Sequence, residues 1–288
     1  MSENKPTFVL VTGAGATSFL WNPVVRELVL RGHRALPVEL PGHGFDTVFP
    51  EGFGIPHEPG QFATSPSPLA GLTLDDYADH TLAMVRRVAD HGPVVLVGHS
   101  LGGSTVSRVA NAAPDLLARV VYLSAYCCVD APVVPAYAPA QPPHDSPLGR
   151  PRRMAFIGDP ARIGAARTNP VTNSAGVLAA QHALLMADLD PAQVPAVLAY
   201  ATQPDEPLQV IIAEARVDPQ TWGRLPRTYI RTDQDEVVPI QVQDRMIAEA
   251  DRLTPGNVFA VHTIAGSHFA PITHAAEVAD ILASQIGE

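Results

Sequence analysis

Residues 93–103, Pro-Val-Val-Leu-Val-Gly-His-Ser-Leu-Gly-Gly, constrain this chain more than any other stretch. The short β-branched apolar run at 94–97 reads as a fully buried strand, and the spaced apolar residues at 104–113 read as a helix. Between them the Gly98-His99-Ser100-Leu101-Gly102 pentapeptide leaves room only for a sharp turn with Ser100 at its apex. Gly98 and Gly102 suit such a corner, where a strained backbone tolerates no Cβ pressed against it. The turn lifts the serine above the sheet edge. The helix beyond it aims free N–H groups and its positive dipole end at the same spot, as a developing oxyanion requires.

Further strand and helix signals alternate on both sides of this corner. Residues 7–11 are apolar and read as a first buried strand, followed by the glycine-bearing loop Thr12-Gly13-Ala14-Gly15 and a helix over 22–30 with Asn22 and Pro23 at its start. Glycines there let backbone N–H groups approach a ligand closely. Neither a dinucleotide fingerprint nor a phosphate-loop lysine accompanies them, so phosphate binding is set aside for a second oxyanion donor or a plain turn. A strand is expected at 34–40, ending in the turn Pro41-Gly42-His43-Gly44. Residues 45–71 lose periodicity, fill with Pro and Gly, and read as a long functional loop. Leu74, Tyr77, Ala78, Thr81, Val85, Val88 and Ala89 mark one helix face, with Thr73 as its cap.

After the serine corner the next strand is expected at 119–124 and the one after it only at 227–231. About a hundred residues in between exceed any single crossover, and hold Pro-rich stretches with helical segments near 174–189 and 195–202. They read as a lid. The boundaries expected are a core of 1–125 and 226–288 with a 126–225 lid or cap insertion, rather than a separate second domain with a thin core of its own. The tail alternates helix 239–250, strand 258–264 and a last helix with Ala275, Val278, Ala279, Leu282 and Ile286 on one face. The expected architecture is therefore α/β, a mostly parallel, doubly wound sheet of about six strands with a helical lid after the strand that follows the corner helix.

Composition excludes several classes. A chain of 288 residues with 46% apolar content builds a substantial core, and its net charge of −10 disfavours nucleic acid or an anionic membrane surface as partner. The opening residues read as a first strand rather than a secretion signal, and no eighteen-residue apolar run is present, so a cytoplasmic location is expected. Cys127 and Cys128 are adjacent and cannot staple distant parts of the fold; they read as small buried residues. No metal-ligand spacing occurs among the eleven histidines, and no cofactor is expected.

A serine hydroxyl attacks nothing at neutral pH without a base to take its proton and a third group to orient that base. In open α/β sheets the site lies beyond the carboxyl ends of the strands. His268, in the small-residue loop Ala265-Gly266-Ser267-His268-Phe269 after the last strand, is the expected base; its rivals are His262, inside that strand, and His274, at the start of the last helix. Asp235, in Thr232-Asp233-Gln234-Asp235-Glu236 just past another strand, is the expected orienter, with Asp233 as rival. His99 flanks the serine but is not expected to join the relay. The chain order Ser, Asp, His matches one known solution to this geometry.

With these motifs in place the chain resembles the α/β-hydrolase superfamily, and more narrowly its methyl esterase and hydroxynitrile lyase branch, as an esterase-like member. The resemblance runs from Phe8-Val9-Leu10-Val11 through the Gly98–Gly103 corner to the Asp235 and His268 loops, and does not cover the lid or residues 45–71. It implies Ser100 as nucleophile, His268 as base, Asp235 as orienter, and the backbone N–H groups of Ala14 and Leu101 as oxyanion hole. Lyases of this branch place a threonine in the oxyanion loop and a lysine after the histidine, which stabilises departing cyanide. This chain has Gly13 and Phe269 there, which favours ester hydrolysis. The serine at the corner argues against the epoxide hydrolases and haloalkane dehalogenases of the superfamily, which use aspartate.

The expected function is that of a serine esterase cleaving a carboxylic ester of a small, largely apolar molecule through an acyl-enzyme. The alternatives are a lyase or elimination (tailoring) enzyme using the same triad, and a non-catalytic ligand-binding receptor on this fold. Phe19, Trp21, Tyr126, Met154 and Phe156, together with Gly13, His99 and Phe269, are the candidate pocket residues, ordinary core packing being the other reading of the aromatic set. A small-molecule ester is the expected partner, without nucleic acid or membrane, and a homodimer stays open.

Overall fold

A computed structural model of the chain describes residues 5–137 and 156–285. Its centre is a six-stranded sheet in the order β2-β1-β3-β4-β7-β8, with β1 Thr7–Val11, β2 Arg34–Pro37, β3 Val94–His99, β4 Arg119–Leu123, β7 Arg227–Thr232 and β8 Ala260–Ile264. Every neighbouring pair in it is parallel. All residues of β1, β3 and β4 are buried, because parallel strands covered on both faces must be apolar on both.

Successive side chains of these strands feed opposite layers. Phe8, Leu10, Val95, Val97, Val121, Leu123 and Ile230 pack against the helices Asn22–Leu30 and Ala275–Ser284. Val9, Val11, Val94, Leu96, Val120 and Tyr122 pack against Leu74–Ala89, Gly102–Ala112 and Ile240–Leu253 on the other face. Each fully buried aliphatic side chain contributes about 1.5–3 kcal/mol. Leu74–Ala89 begins at a complete capping box: Asp76 N–H bonds Thr73 Oγ1, and Asp76 Oδ2 accepts from Thr73 N–H at 2.8 Å.

Several ends differ from the sequence expectation. β2 ends at Pro37 rather than at residue 40, although Val38 N–H still donates to the Leu10 carbonyl at 2.9 Å. The stretch 45–71 is not wholly irregular, for Pro59–Thr64 forms a short helix with Phe62 buried beneath it. The chain between β4 and β7 carries, besides the helices Ala175–Leu185 and Val194–Ala201, a small antiparallel pair of β5 Ala165–Arg167 and β6 Asp205–Pro207. At the two ends of that segment Cys127, Cys128, Val129, Ala215, Val217 and Trp222 join the core under the sheet. Its middle builds a separate cluster in which Met186, Val194, Leu198 and Ala201 pack on Ala16, Leu20 and Phe269, over the carboxyl ends of the strands. Met154 and Ile286 lie outside the described residues.

Arg167 ties this middle portion to the loop before it. The fully buried guanidinium grips Asp205 with two bonds of 2.6 and 2.7 Å, donates to the Ser65 carbonyl at 3.0 Å and to the Phe62 carbonyl, and lies over the Phe62 ring. Residues 62–65, β5 and β6 are thereby joined by one side chain.

Candidate active site

Four loops that leave the carboxyl ends of β1, β3, β7 and β8 converge on a cavity of about 280 Å³. The β3 loop brings Ser100. Its φ of +54° is the left-handed conformation that a non-glycine residue adopts at a strained corner. The corner is over-determined by its neighbours: Ser100 N–H reaches the Leu123 carbonyl at 3.4 Å, and the Ser100 carbonyl accepts from Gly103 and Tyr126. A Cβ at Gly98 would lie 2.8 Å from the Gly102 carbonyl oxygen, and one at Gly102 would meet the Thr12 carbonyl. The helix beyond starts at Gly102, two residues later than the turn itself.

The β7 loop brings Asp235 and the β8 loop His268. His268 Nδ1 lies 2.7 Å from Asp235 Oδ2, with both side chains almost wholly shielded from solvent. The other carboxylate oxygen accepts from the N–H groups of Val237 and Val238 at 2.7 and 2.8 Å, and Thr232 Oγ1 donates to Oδ2. An aspartate fixed by three such donors accepts from the imidazole in one orientation, leaving Nε2 as the nitrogen for the cavity. Ser100 and His268 line the same cavity, with 6% and 2% of their surfaces exposed. Asp233 is exposed, His262 faces Gln285 from within β8, and His274 bonds Asp188, so none of the rivals reaches this site.

The β1 loop brings Gly13 and Ala14 to the cavity wall. A Cβ at Gly13 would stand 2.5 Å from Ser100 Cβ and 3.0 Å from its hydroxyl, so no larger residue fits there. Among the turn and loop bonds of the described residues, neither the Ala14 nor the Leu101 amide has a backbone acceptor.

Of the remaining pocket candidates, His99, Tyr126, Phe156 and Phe269 line the cavity. Phe269 packs edge-on against the ring of His99 and tilted against that of His268. Trp21 does not line the cavity. It closes a short helical turn, is wholly buried in the layer with Phe8 and Leu10, and among the described residues meets the site through the T-shaped contact of its ring with His99. Phe19 turns outward to an adjoining shallow pocket that it shares with Phe45, Phe49 and Tyr200.

Two residue sets that the sequence did not flag also reach the site. Glu206 of β6 lines the cavity and is buried, with His43, Tyr77 and the Gly15 amide around it. Burial pulls the His43 pKa down, but the Glu206 hydrogen bond and charge more than offset it and the net shift is upward. Burial, then the Glu206 charge, pushes the Tyr77 hydroxyl well up, so it remains a donor. Asp188 accepts from Ser267 N–H at 3.1 Å, from the Ser267 hydroxyl and from His274 at 3.0 Å, which holds the loop carrying His268. Both acids sit in proline-rich or loop sequence without periodicity, so nothing local distinguishes them. No cluster of three or more metal-ligating side chains occurs, and no helix is long and apolar enough to cross a membrane, among the described residues.

A family model described as alpha/beta hydrolase matches residues 8–281. Among curated relatives, "Putative methylesterase 12, chloroplastic" of Arabidopsis thaliana is 24% identical over 268 residues, 92% of this chain and 66% of that protein. "Alpha-hydroxynitrile lyase" of the same plant is 27% identical over 125 residues, 43% of this chain and 41% of that protein. The matches thus span less than two thirds of these relatives' own length. Among solved structures, a pyrethroid hydrolase from Sphingobium faniae JZ-2 is 22% identical with a TM-score of 0.70, over 97% of this chain and 96% of that one. Polyneuridine aldehyde esterase is 19% identical with a TM-score of 0.68, over 98% of this chain and 99% of that one. At such identities the likeness is one of fold.

Proposed function

From the premise that the chain belongs to the alpha/beta hydrolase family, we propose that it is a serine carboxylic-ester hydrolase working through an acyl-enzyme. The observation that carries the reading is the buried 2.7 Å contact between His268 and Asp235, facing a cavity that also exposes Ser100. Ser100 Oγ attacks the ester carbonyl while His268 takes its proton, and Asp235 holds the imidazole and stabilises its charged form. The oxyanion is met by the Ala14 and Leu101 amides. Collapse expels the alcohol, protonated by His268, and a water activated by the same histidine releases the acid.

Leu184, Leu185, Leu198, Tyr126, Phe156 and Phe269 make the cavity mostly apolar, and its volume suits a small molecule. A small, largely apolar ester is the substrate class of the proposal, which agrees with relatives named as methylesterases. The described residues 126–137 and 156–225 supply the proposed cap and its roots, and the proposed chemistry calls for no cofactor. A cyanide-releasing lyase is disfavoured because Phe269, not a cation, stands beside the base and no Cβ fits at Gly13.

Ser100→Ala tests the reading. It abolishes hydrolysis of p-nitrophenyl acetate and labelling by a fluorophosphonate. Undiminished turnover in that variant would sink the serine mechanism, and turnover of an ester by wild type without a trapped acyl adduct would point to a different use of the triad.

A further inference from the structure

The oxyanion loop does not hold its own shape. Gly15, at φ +60°, is gripped on both sides by the segment that leads into β6. Its N–H donates to Glu206 Oε2 at 2.7 Å, and its carbonyl accepts from Gln203 N–H at 2.8 Å. Ala16 bridges Thr202 in antiparallel fashion, and Thr17 N–H donates to the Ala201 carbonyl at 2.9 Å. Residues 201–206 thus lie along residues 15–17 as a short ribbon. Among the described residues, Glu206 is the side chain of this ribbon that hydrogen-bonds the loop, at the Gly15 amide.

Glu206 is 3% exposed and sits on the cavity wall, an unfavourable place for a bare carboxylate beside developing negative charge. Its surroundings cancel that charge. His43, fully buried, presents Nε2 to Glu206 Oε2 at 3.3 Å and Nδ1 to the Pro41 carbonyl at 3.0 Å. With an acceptor facing each ring nitrogen, the arrangement is that of an imidazolium, which donates from both. Tyr77 OH donates to Glu206 Oε1 at 3.3 Å, and its ring stands edge-on to His43 at 5.6 Å. The carboxylate is therefore paired, oriented from three sides, and left with one strong charge-assisted bond toward the reacting centre, to Gly15.

Resting on the hydrolase reading above, we propose that Glu206 is a positioning residue: through the Gly15 amide it fixes the loop that aims the neighbouring Ala14 N–H at the oxyanion, so that the cap assembles part of the catalytic machinery. It acts through Gly15: its bonds go to Gly15, His43 and Tyr77, with none to Ser100 among the described residues. Because a displacement of about 1 Å of an oxyanion donor costs on the order of tenfold to a hundredfold in rate, the effect falls on kcat.

The experiment compares wild type with Glu206→Ala, Glu206→Asp and Glu206→Gln for p-nitrophenyl acetate hydrolysis and for inactivation by a p-nitrophenyl alkylphosphonate. The phosphonyl oxygen takes the oxyanion's place once Ser100 displaces nitrophenolate. Glu206→Ala is expected to lower kcat about 10- to 100-fold with KM within about threefold, and to slow phosphonylation in parallel. Glu206→Gln, which keeps an oxygen for the Gly15 N–H, restores both rates to within about threefold of wild type. Should Glu206→Ala not fold, as judged by circular dichroism, Glu206→Asp decides, since its carboxylate is withdrawn by one methylene and the same fall is expected. Wild-type kcat in the Ala or Asp variant, a loss confined to KM, or a kcat loss with unchanged phosphonylation overturns the proposal. If Ser100→Ala still turns over ester, the parent reading fails and takes this one with it. If wild type reacts at Ser100 and only the Glu206 variants behave as wild type, the positioning role alone is refuted.

Discussion

His99 Nε2 donates to the main-chain carbonyl of His268 at 2.9 Å, so the residue before Ser100 holds the residue that faces it across the cavity. Burial, reinforced by the nearby His268 charge, holds the His99 pKa well below 6.5. Its other nitrogen has no hydrogen-bond partner among the described residues. His99 is a neutral structural tie.

Replacing it with leucine therefore acts on rate and on acid stability in opposite directions. His99→Leu should lower kcat about tenfold by loosening the His268 loop. In wild type the unfolded chain protonates His99 below about pH 6.5 while the folded protein does not. The unfolded state binds the extra proton, so this contribution to stability is full above 6.5 and is lost as pH falls below it, by up to about 1.4 kcal/mol per pH unit. Urea denaturation between pH 5 and 7.5 should show a shallower pH slope in His99→Leu than in wild type; identical slopes would contradict the neutral assignment.

Asp235→Asn and Asp233→Asn separate the two carboxylates of one loop. Asp235 accepts from His268 and from two backbone amides, whereas Asp233 is exposed. Asp235→Asn should reduce kcat about 10³- to 10⁴-fold by favouring the wrong imidazole tautomer, with Asp233→Asn within about twofold of wild type. Comparable losses in the two variants would remove Asp235 from its role.

Gly13→Ala should both destabilise and inactivate. The added methyl would have to sit 2.5 Å from Ser100 Cβ, an overlap that costs about 1–3 kcal/mol and pushes the serine or the oxyanion loop aside. Fluorophosphonate labelling of Gly13→Ala at a rate within twofold of wild type would show that the contact relaxes without consequence.

The sheet and the site's three central residues were legible because each rests on a local signal. Val94–His99 is β-branched, apolar and short; Ser100 is framed by glycines; Asp235 and His268 follow strands directly. What the chain did not reveal is carried by contacts between distant segments. Glu206 meets Gly15 across 191 residues and His43 across 163, and no spacing rule links them. For Trp21 the sequence left pocket wall and core packing both open, and the structure shows core packing. Trp21, at the end of the turn Ser18–Trp21, packs in the layer with Phe8 and Leu10. The pair β5 and β6 is three residues to a strand, too short for periodicity to register.

Arg167→Ala should be among the more destabilising single changes, because it leaves Asp205 charged, buried and unpaired. Breaking such a pair from one side costs about 3–5 kcal/mol, which lowers Tm by roughly 10 °C. Arg167→Met with Asp205→Leu, which removes both charges, should recover much of that loss. A single variant as stable as wild type in thermal denaturation would mean that water reaches this pair.

Asp188 provides the corresponding test on the base side of the cavity. It projects from the segment after the helix Ala175–Leu185 and accepts from Ser267 N–H, the Ser267 hydroxyl and His274, while the Leu185 carbonyl accepts from Phe269 N–H at 2.7 Å. The residues on either side of His268 are thus both bonded to the segment between β4 and β7. Burial opposes ionisation of Asp188, but its bonds from Ser267 outweigh that and its pKa is lowered from 3.8. Its contribution to stability is accordingly present above about pH 4 and lost as pH falls below that value through the folded-state pKa. Asp188→Ala should lower kcat by roughly tenfold with little change in KM, since the imidazole is still held by Asp235 but its backbone is not. Asp188→Asn, which retains an oxygen for the Ser267 amide, should sit between the two. If Asp188→Ala instead raises KM at constant kcat, the contact shapes the cavity rather than the base, and the hold of residues 185–188 on the His268 loop has no part in the chemical step.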